Sequence, residues 1–136
     1  MNRRLAFTFA LVCSAGAALA APAPNPLWMA KALSCNFSAP ATPAAELVVT
    51  IRRINLRAHT ATLSERAGGK HAAEIIATES GLTFIEHAAT GSLVFTTVFA
   101  GPPEETEFYA VQSRHLTVMT GIPQLAQRVG ICVLAK

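Results

Sequence analysis

The side chains that could do chemistry in this sequence are few, and Glu86 is the most informative of them. It lies in an apolar run, where a carboxylate needs a partner or becomes protonated. Arg114 is the nearest predicted cation and offers several fixed donors to a carboxylate. The pair predicts a polar anchor for a ligand headgroup. The alternatives are a structural ion pair at a barrel rim and a Glu86 that reaches solvent near a turn.

Catalysis would need more than these two residues. Ser113 and His115 share a strand face but lie about 7 Å apart along the strand, too far for a direct hydrogen bond. The sequence contains no Asp that could orient a histidine. We therefore predict no catalytic residue, with a hydrolase that uses Glu86 or His115 as the alternative.

Metal and cofactor sites have no matching pattern. The four histidines are widely spaced, and no H-x-x-x-H or C-x-x-C pairing occurs. No glycine-rich loop matches a phosphate cradle. The sequence therefore predicts no metal and no cofactor.

Three phenylalanines, Phe84, Phe95 and Phe99, are predicted to share one face of a sheet with Glu86. Antiparallel barrels of about eight strands have interiors that side chains fill or that hold one small ligand. The candidate ligand-binding residues are therefore these three rings with Glu86 and Arg114. The alternative is that the rings are ordinary core.

The N-terminus has the pattern of a secretory signal. Arg3 and Arg4 precede an apolar run, Leu5–Ala17, and Ala18–Ala20 is typical of a cleavage site. Residues 1–20 are therefore predicted to be a signal peptide. The alternative is an uncleaved anchor, for which the apolar run is short.

Cleavage of the 136-residue chain after residue 20 would leave 116 residues, a length typical of one domain. We predict a flexible proline-rich leader over 21–27 and a single β domain over 28–136, periplasmic or secreted. No later segment is long and apolar enough to span a membrane. The removed segment holds two of the 11 basic and none of the 8 acidic residues, so the net charge falls from +3 to +1. The charge is small, and the sequence has no stripe of basic residues interleaved with aromatic ones. Neither feature therefore indicates nucleic-acid binding.

Short segments with period-2 alternation recur along the chain and predict β-strands. Two-residue turns would set their register: Thr90-Gly91 places Glu86 opposite Phe95, and Ser80-Gly81 places Ala77 opposite Phe84. One short helical turn is predicted within 121–127. The predicted strands lie near 28–37, 46–54, 57–66, 71–79, 82–89, 92–100, 107–119 and 127–134.

Eight short strands joined by tight turns favour an antiparallel meander. Such a sheet hides its edges by closing, which predicts a small up-and-down β-barrel, with a β-sandwich as the alternative. Of the three cysteines, Cys13 belongs to the predicted signal peptide, and Cys35 and Cys132 lie in the first and last predicted strands. The even count that remains in an exported chain predicts a disulfide. The bridge would close a 97-residue loop and fasten the barrel. The alternative is two free buried thiols.

Several short motifs occur together in the second half of the chain. They are Gly81–Glu86, Gly91–Leu93, Thr96–Phe99, Ala110–His115 and Gly130–Cys132, and Trp28 and Cys35 belong with them. As a set they resemble a group of small exported proteobacterial proteins of unknown function. The resemblance implies an exported domain in which Cys35 pairs with Cys132. Members tend to carry a second histidine where this sequence has Gln112, and the resemblance implies no activity, ligand or catalytic residue.

An aromatic-rich interior face without a catalytic set predicts a non-enzymatic binding module. It would take a small apolar ligand, or a protein of the cell envelope or of the extracellular medium. The alternatives are the hydrolase that uses Glu86 or His115, and a structural envelope-associated protein without a ligand.

Overall fold

The chain folds into a closed antiparallel barrel of eight strands. The computed structural model describes residues 24–39, 42–66, 68–88, 91–116 and 124–136. Each strand pairs with the next one in sequence, and the first pairs with the last. The predicted up-and-down barrel is confirmed, and the chain does not form the alternative sandwich. The strands are β1 (Ala32–Ala39), β2 (Thr42–Asn55), β3 (Thr60–Glu65), β4 (Lys70–Thr78), β5 (Gly81–His87), β6 (Leu93–Phe99), β7 (Glu107–Leu116) and β8 (Gln124–Leu134).

The first residues of the domain form a short helix rather than a strand. Residues 1–23, which include the predicted signal peptide and the start of the predicted leader, lie outside the described residues. Helix α1 (Pro26–Met29) begins after Asn25, whose side-chain oxygen accepts a hydrogen bond from the Leu27 N–H at 2.9 Å. Leu27 is fully buried, so the last residue of the predicted leader packs in the core. The predicted first strand accordingly starts later, at Ala32.

Helix α1 lies at the end of the barrel where β1 begins. Leu27 belongs to the buried core, and the Asn25 side chain donates a hydrogen bond to the Gly101 carbonyl, in the connection between β6 and β7. No helix in the described segments is long and apolar enough to cross a membrane. The helical turn predicted within 121–127 is wrong from Gln124 onward, because those residues belong to β8; residues 121–123 lie outside the described part.

Apolar side chains fill most of the barrel interior. A buried aliphatic or aromatic side chain of this size contributes about 1.5–3 kcal/mol relative to an exposed one. The interior therefore supplies the main stabilisation of the sheet. The largest fully buried side chains include Leu33, Phe37, Val49, Ile51, Leu63, Leu82, Phe84, Val98 and Phe108.

A disulfide joins the strands that close the barrel. Cys35 and Cys132 are register partners on β1 and β8, and both are fully buried. Gly130, two residues before Cys132, pairs with Phe37. A Cβ at Gly130 would meet the Asn36 carbonyl oxygen and the Phe37 ring. The seam between the first and last strands therefore leaves no room for a side chain at position 130.

The register between β5 and β6 differs from the prediction by one residue. Glu86 pairs with Val94 rather than with Phe95, and Phe84 pairs with Thr96. Successive residues of a strand point to opposite faces, so a slip of one residue reverses the faces of the whole strand. The predicted faces of β6 are therefore wrong.

The longer connection between β5 and β6 causes this difference. Ala88 N–H donates to the Ser92 carbonyl, and Gly91 N–H donates to the Ala88 carbonyl, so three residues separate the paired ends instead of two. Gly91 has a φ of 78°, a conformation that glycine adopts without strain. As a result Phe95 and Phe99 point outward.

The register between β4 and β5 also differs from the prediction, but without changing the faces. Ala77 pairs with Leu82 rather than with Phe84, because the turn residues are Glu79 and Ser80. This shift moves the pairing by two residues, so the same side chains still face inward. The predicted inward orientation of Ile75 and Phe84 is confirmed.

Candidate functional site

The five residues predicted to bind a ligand do not converge on one cavity. Phe84 lies fully buried in the core, whereas Phe95 and Phe99 lie on the outer surface. Glu86 and Arg114 lie inside the barrel, near the end opposite α1. The prediction that the three rings share one face is wrong, so they cannot line a common interior cavity.

Glu86 faces the interior, as predicted, but its partner is not Arg114. It is 8% exposed, and its Oε1 lies 3.6 Å from Nδ1 of His71 on β4. Glu86 pairs with Val94, and Val94 pairs with Arg114, so β6 lies between the two charges. The predicted Ser80-Gly81 turn sets Glu86 opposite Ile75, whereas Glu86 pairs with Ala73, two residues closer to His71.

Arg114 reaches across the barrel instead. Its Nη2 donates a hydrogen bond to Oε1 of Glu65 on β3, at 3.1 Å. Because β3 and β7 lie opposite each other in a closed eight-stranded barrel, only the closure of the sheet brings these two side chains together. The predicted Glu86–Arg114 pair is therefore replaced by Glu65–Arg114.

At the barrel end opposite α1, the described residues line a polar cavity, called here the polar mouth. Its volume is about 250 Å³, and buried Gln112 at its base donates a hydrogen bond to the Thr96 hydroxyl at 3.4 Å. Two guanidinium groups and one carboxylate surround it, so it offers hydrogen-bond donors and a net positive charge. The lining residues are Leu47, Glu65, Gln112, Arg114, Ala126 and Arg128.

A double-mutant cycle can test which carboxylate Arg114 contacts. With Glu65→Gln and Arg114→Gln, we expect a coupling energy of about 0.5–1 kcal/mol in urea unfolding, since both side chains are partly exposed. The matched cycle with Glu86→Gln and Arg114→Gln should give coupling within about 0.3 kcal/mol of zero. Larger coupling to Glu86 than to Glu65 would contradict the observed pairing.

The residues of the hydrolase alternative lie on opposite sides of the sheet. His115 is exposed on the outer face, where its ring packs edge-on against Phe95 with centroids 5.3 Å apart. Glu86 faces the interior, so the two groups share no cleft. Within the described segments no three His, Cys, Asp or Glu side chains are placed to hold a metal ion.

A row of exposed apolar residues, called here the apolar stripe, covers the outer face of β7 and β8. Tyr109 is 74% exposed, Leu125 63% and Val129 50%. Tyr109 pairs with Ile131 across the two strands, and Val129, Ile131 and Val133 follow one another on the outer face of β8. Exposed Gln127, which pairs with Ser113, separates Leu125 from them. The stripe consists of Tyr109, Leu125, Val129, Ile131 and Val133.

Sequence reasoning missed the apolar stripe, although β8 carries a pattern that locates it. The disulfide fixes Cys132 on the inner face, so alternation places Val129 and Val133 outside. The inward residues are then small or polar, as with Gly130 and Arg128, and the outward ones apart from Gln127 are aliphatic. An ordinary half-buried strand has the opposite pattern, with apolar residues facing inward and polar residues facing outward.

An acidic cleft adjoins one end of the apolar stripe. It encloses about 350 Å³. Three carboxylates, an exposed tyrosine ring and an isoleucine thus lie around one space. The lining residues are Glu104, Glu105, Thr106, Glu107, Tyr109 and Ile131.

Comparisons with protein-family models, with curated proteins and with solved structures found no match for this chain. The fold and the chemistry of its surfaces are therefore the basis for a functional assignment.

Proposed function

We propose that this protein is an exported, non-enzymatic binding module that docks a protein partner on the apolar stripe. The observation that carries the proposal is the exposure of Tyr109, Leu125 and Val129 on the same outer face of β7 and β8. Soluble monomers rarely expose contiguous apolar patches larger than a few hundred Å², and such patches mark interaction sites. Burying these side chains against a partner would remove them from water.

The partner docks face-on rather than by adding a strand. β8 is hydrogen-bonded to β7 on one side and to β1 on the other, so it has no free edge. Strand addition needs an exposed edge with unpaired N–H and C=O groups. The stripe therefore offers side chains only, and specificity depends on their shape and charge.

The acidic cleft defines the chemistry of the partner. Glu104, Glu105 and Glu107 place negative charge beside the Tyr109 ring. A lysine or arginine bound there gains carboxylate contacts and stacks on an aromatic face. The partner surface is therefore apolar, with a basic side chain at one margin.

The disulfide supports export of the protein. Disulfides form and persist in oxidising compartments, and the Cys35–Cys132 bridge joins the closing strands. The signal pattern of residues 1–20 supports the same location, the periplasm or the exterior of the cell.

Site-specific photo-crosslinking tests the proposal. The full chain is expressed in its source organism with the photoreactive residue benzoylphenylalanine in place of Val129. The control protein carries the same residue in place of Ala72, which is exposed on β4. We expect one protein to crosslink at position 129 and not at position 72. That protein is then purified, and its binding to the wild type is measured by calorimetry.

Charge reversal in the acidic cleft completes the test. Glu104→Lys with Glu107→Lys should weaken binding of the purified partner about tenfold or more at low salt, whereas Glu79→Lys should change it less than about twofold. Equal crosslinking at both positions, crosslinking only to a second copy of the chain, or equal binding by the reversed variant would overturn the proposal.

A further inference from the structure

A second surface cleft, called here the basic cleft, lies on the outer face of β2, β3 and β4. It encloses about 210 Å³ and is lined by Arg52, Arg53, Thr62, Ser64 and Lys70. Because β3 is four strands away from β7 in the closed barrel, this cleft and the apolar stripe lie on opposite sides. A ligand bound here would not contact a partner on the stripe.

The basic cleft depends on a β-bulge in β2. Arg52 pairs with Thr62, but the next pair along the two strands is Asn55 with Thr60. Two residues of β2 therefore face one residue of β3. Arg53, in the bulge, has a φ of 54°, which residues other than glycine rarely adopt.

The bulge brings two consecutive arginines to the same side of the sheet. In a regular strand Arg52 would point outward and Arg53 inward, since successive residues alternate. Here Arg53 is exposed, and Ile54 takes the next inward position, where it is 4% exposed. Bulges re-aim side chains in this way, and strained residues of this kind cluster at functional sites.

No carboxylate neutralises the three cations of the cleft. All eight acidic residues of the chain lie in the described segments, and none of them lines the cleft. Across those segments Arg52, Arg53 and Lys70 make no ion pair. Three like charges around one small space repel one another, so a bound anion lowers their electrostatic energy.

We propose that the basic cleft binds a tetrahedral oxyanion, the phosphate or sulfate group of a soluble ester or of a lipid headgroup. The guanidinium groups of Arg52 and Arg53 supply paired N–H donors that match such an anion, and Lys70 adds a point charge. The Thr62 hydroxyl is a further donor. The Ser64 hydroxyl already donates to the Thr50 carbonyl at 3.4 Å, so its oxygen is left mainly as an acceptor.

The test titrates inorganic phosphate into the full folded protein at low salt and follows the backbone amide signals by two-dimensional NMR. Arg53→Asn removes the cation while keeping a residue that tolerates positive φ, and Arg52→Gln removes the other. Arg57→Gln is the matched control, because Arg57 is exposed in the neighbouring β2–β3 turn but does not line the cleft.

We expect shifts centred on residues 52, 53, 62 and 70. Each cleft variant should bind phosphate about fivefold or more weakly, and Arg57→Gln should stay within about twofold of the wild type. Melting temperatures show whether the variants remain folded. Arg53→Gly should be at least as stable as the wild type, because glycine relieves the strained φ. It should nevertheless lose phosphate binding, because the cation is gone.

Two further titrations distinguish the sources of the anion. Binding of glycerol phosphate with the same dependence on Arg52 and Arg53 identifies a soluble ester. Binding only to vesicles of phosphatidylglycerol and phosphatidylcholine, with that dependence, identifies a lipid headgroup. Equal weakening by Arg57→Gln, shifts spread over all basic residues, or acetate binding as tightly as phosphate would overturn the proposal.

Discussion

Replacing Cys35 and Cys132 together with alanine is expected to lower the free energy of unfolding by about 4 kcal/mol. The bridge spans 97 residues, and closing so long a loop removes much conformational entropy from the unfolded chain. The pair also joins β1 to β8, the two strands that close the barrel. Urea unfolding of the wild type and the double variant measures the difference.

Reductant provides the control for this prediction. It should lower the stability of the wild type to near that of the double variant, and it should leave the double variant unchanged. A wild type whose urea midpoint does not move with reductant would mean that the two thiols are free, the alternative that the cysteine count alone leaves open.

Phe84→Ala is expected to cost about 3–5 kcal/mol, and Phe99→Ala less than about 1 kcal/mol. Phe84 is fully buried, so its loss removes apolar contacts and leaves a cavity in the core. Phe99 is 42% exposed on the outer face. The two variants delete the same atoms, so their difference reports only the face on which each ring lies.

The same pair of variants distinguishes the observed register from the predicted one. With Thr90-Gly91 as a two-residue turn, Phe95 and Phe99 would face the interior, and Phe99→Ala would be nearly as destabilising as Phe84→Ala. Thermal and urea unfolding of the two purified variants decides between these outcomes, and equal losses would contradict the register of β5 and β6.

The two proposed surfaces have opposite charge and different chemistry. The stripe on β7 and β8 is apolar with an acidic margin, whereas the cleft on β2, β3 and β4 is basic and polar. Both surfaces lie on the outside of the barrel, whose core is filled by apolar side chains. Placing two such faces on opposite sides lets a partner and an anion be held at the same time.

The strand content and fold class follow from the sequence because alternation and turns are local. Period-2 patterns predicted eight strands, and each overlaps an observed one, with β7 starting at Glu107 in both. Two cysteines in the end strands predicted a bridge that fastens the barrel, and this is confirmed. The orientation of Glu86 toward the interior also follows from alternation alone.

The partners of the charged residues depend on the closed sheet. Glu65 and Arg114 lie 49 residues apart and on non-neighbouring strands, so no local pattern joins them. Glu86 faces His71 on the preceding strand, and this contact depends on the register of β4 and β5. Barrel closure fixes the Glu65–Arg114 pair, because it brings the opposite strands β3 and β7 within reach of one another.

The sequence by itself determined the fold class, the number of strands and the cysteine pair, because each depends on local pattern or on composition. Only the tertiary structure decided which face Phe95 and Phe99 occupy and where Arg53 points. One extra residue in a connection, or one bulged residue in a strand, reverses the direction of a side chain. The physical reason is that a strand has a period of two, so a single-residue change in register alters the surface far more than it alters the fold.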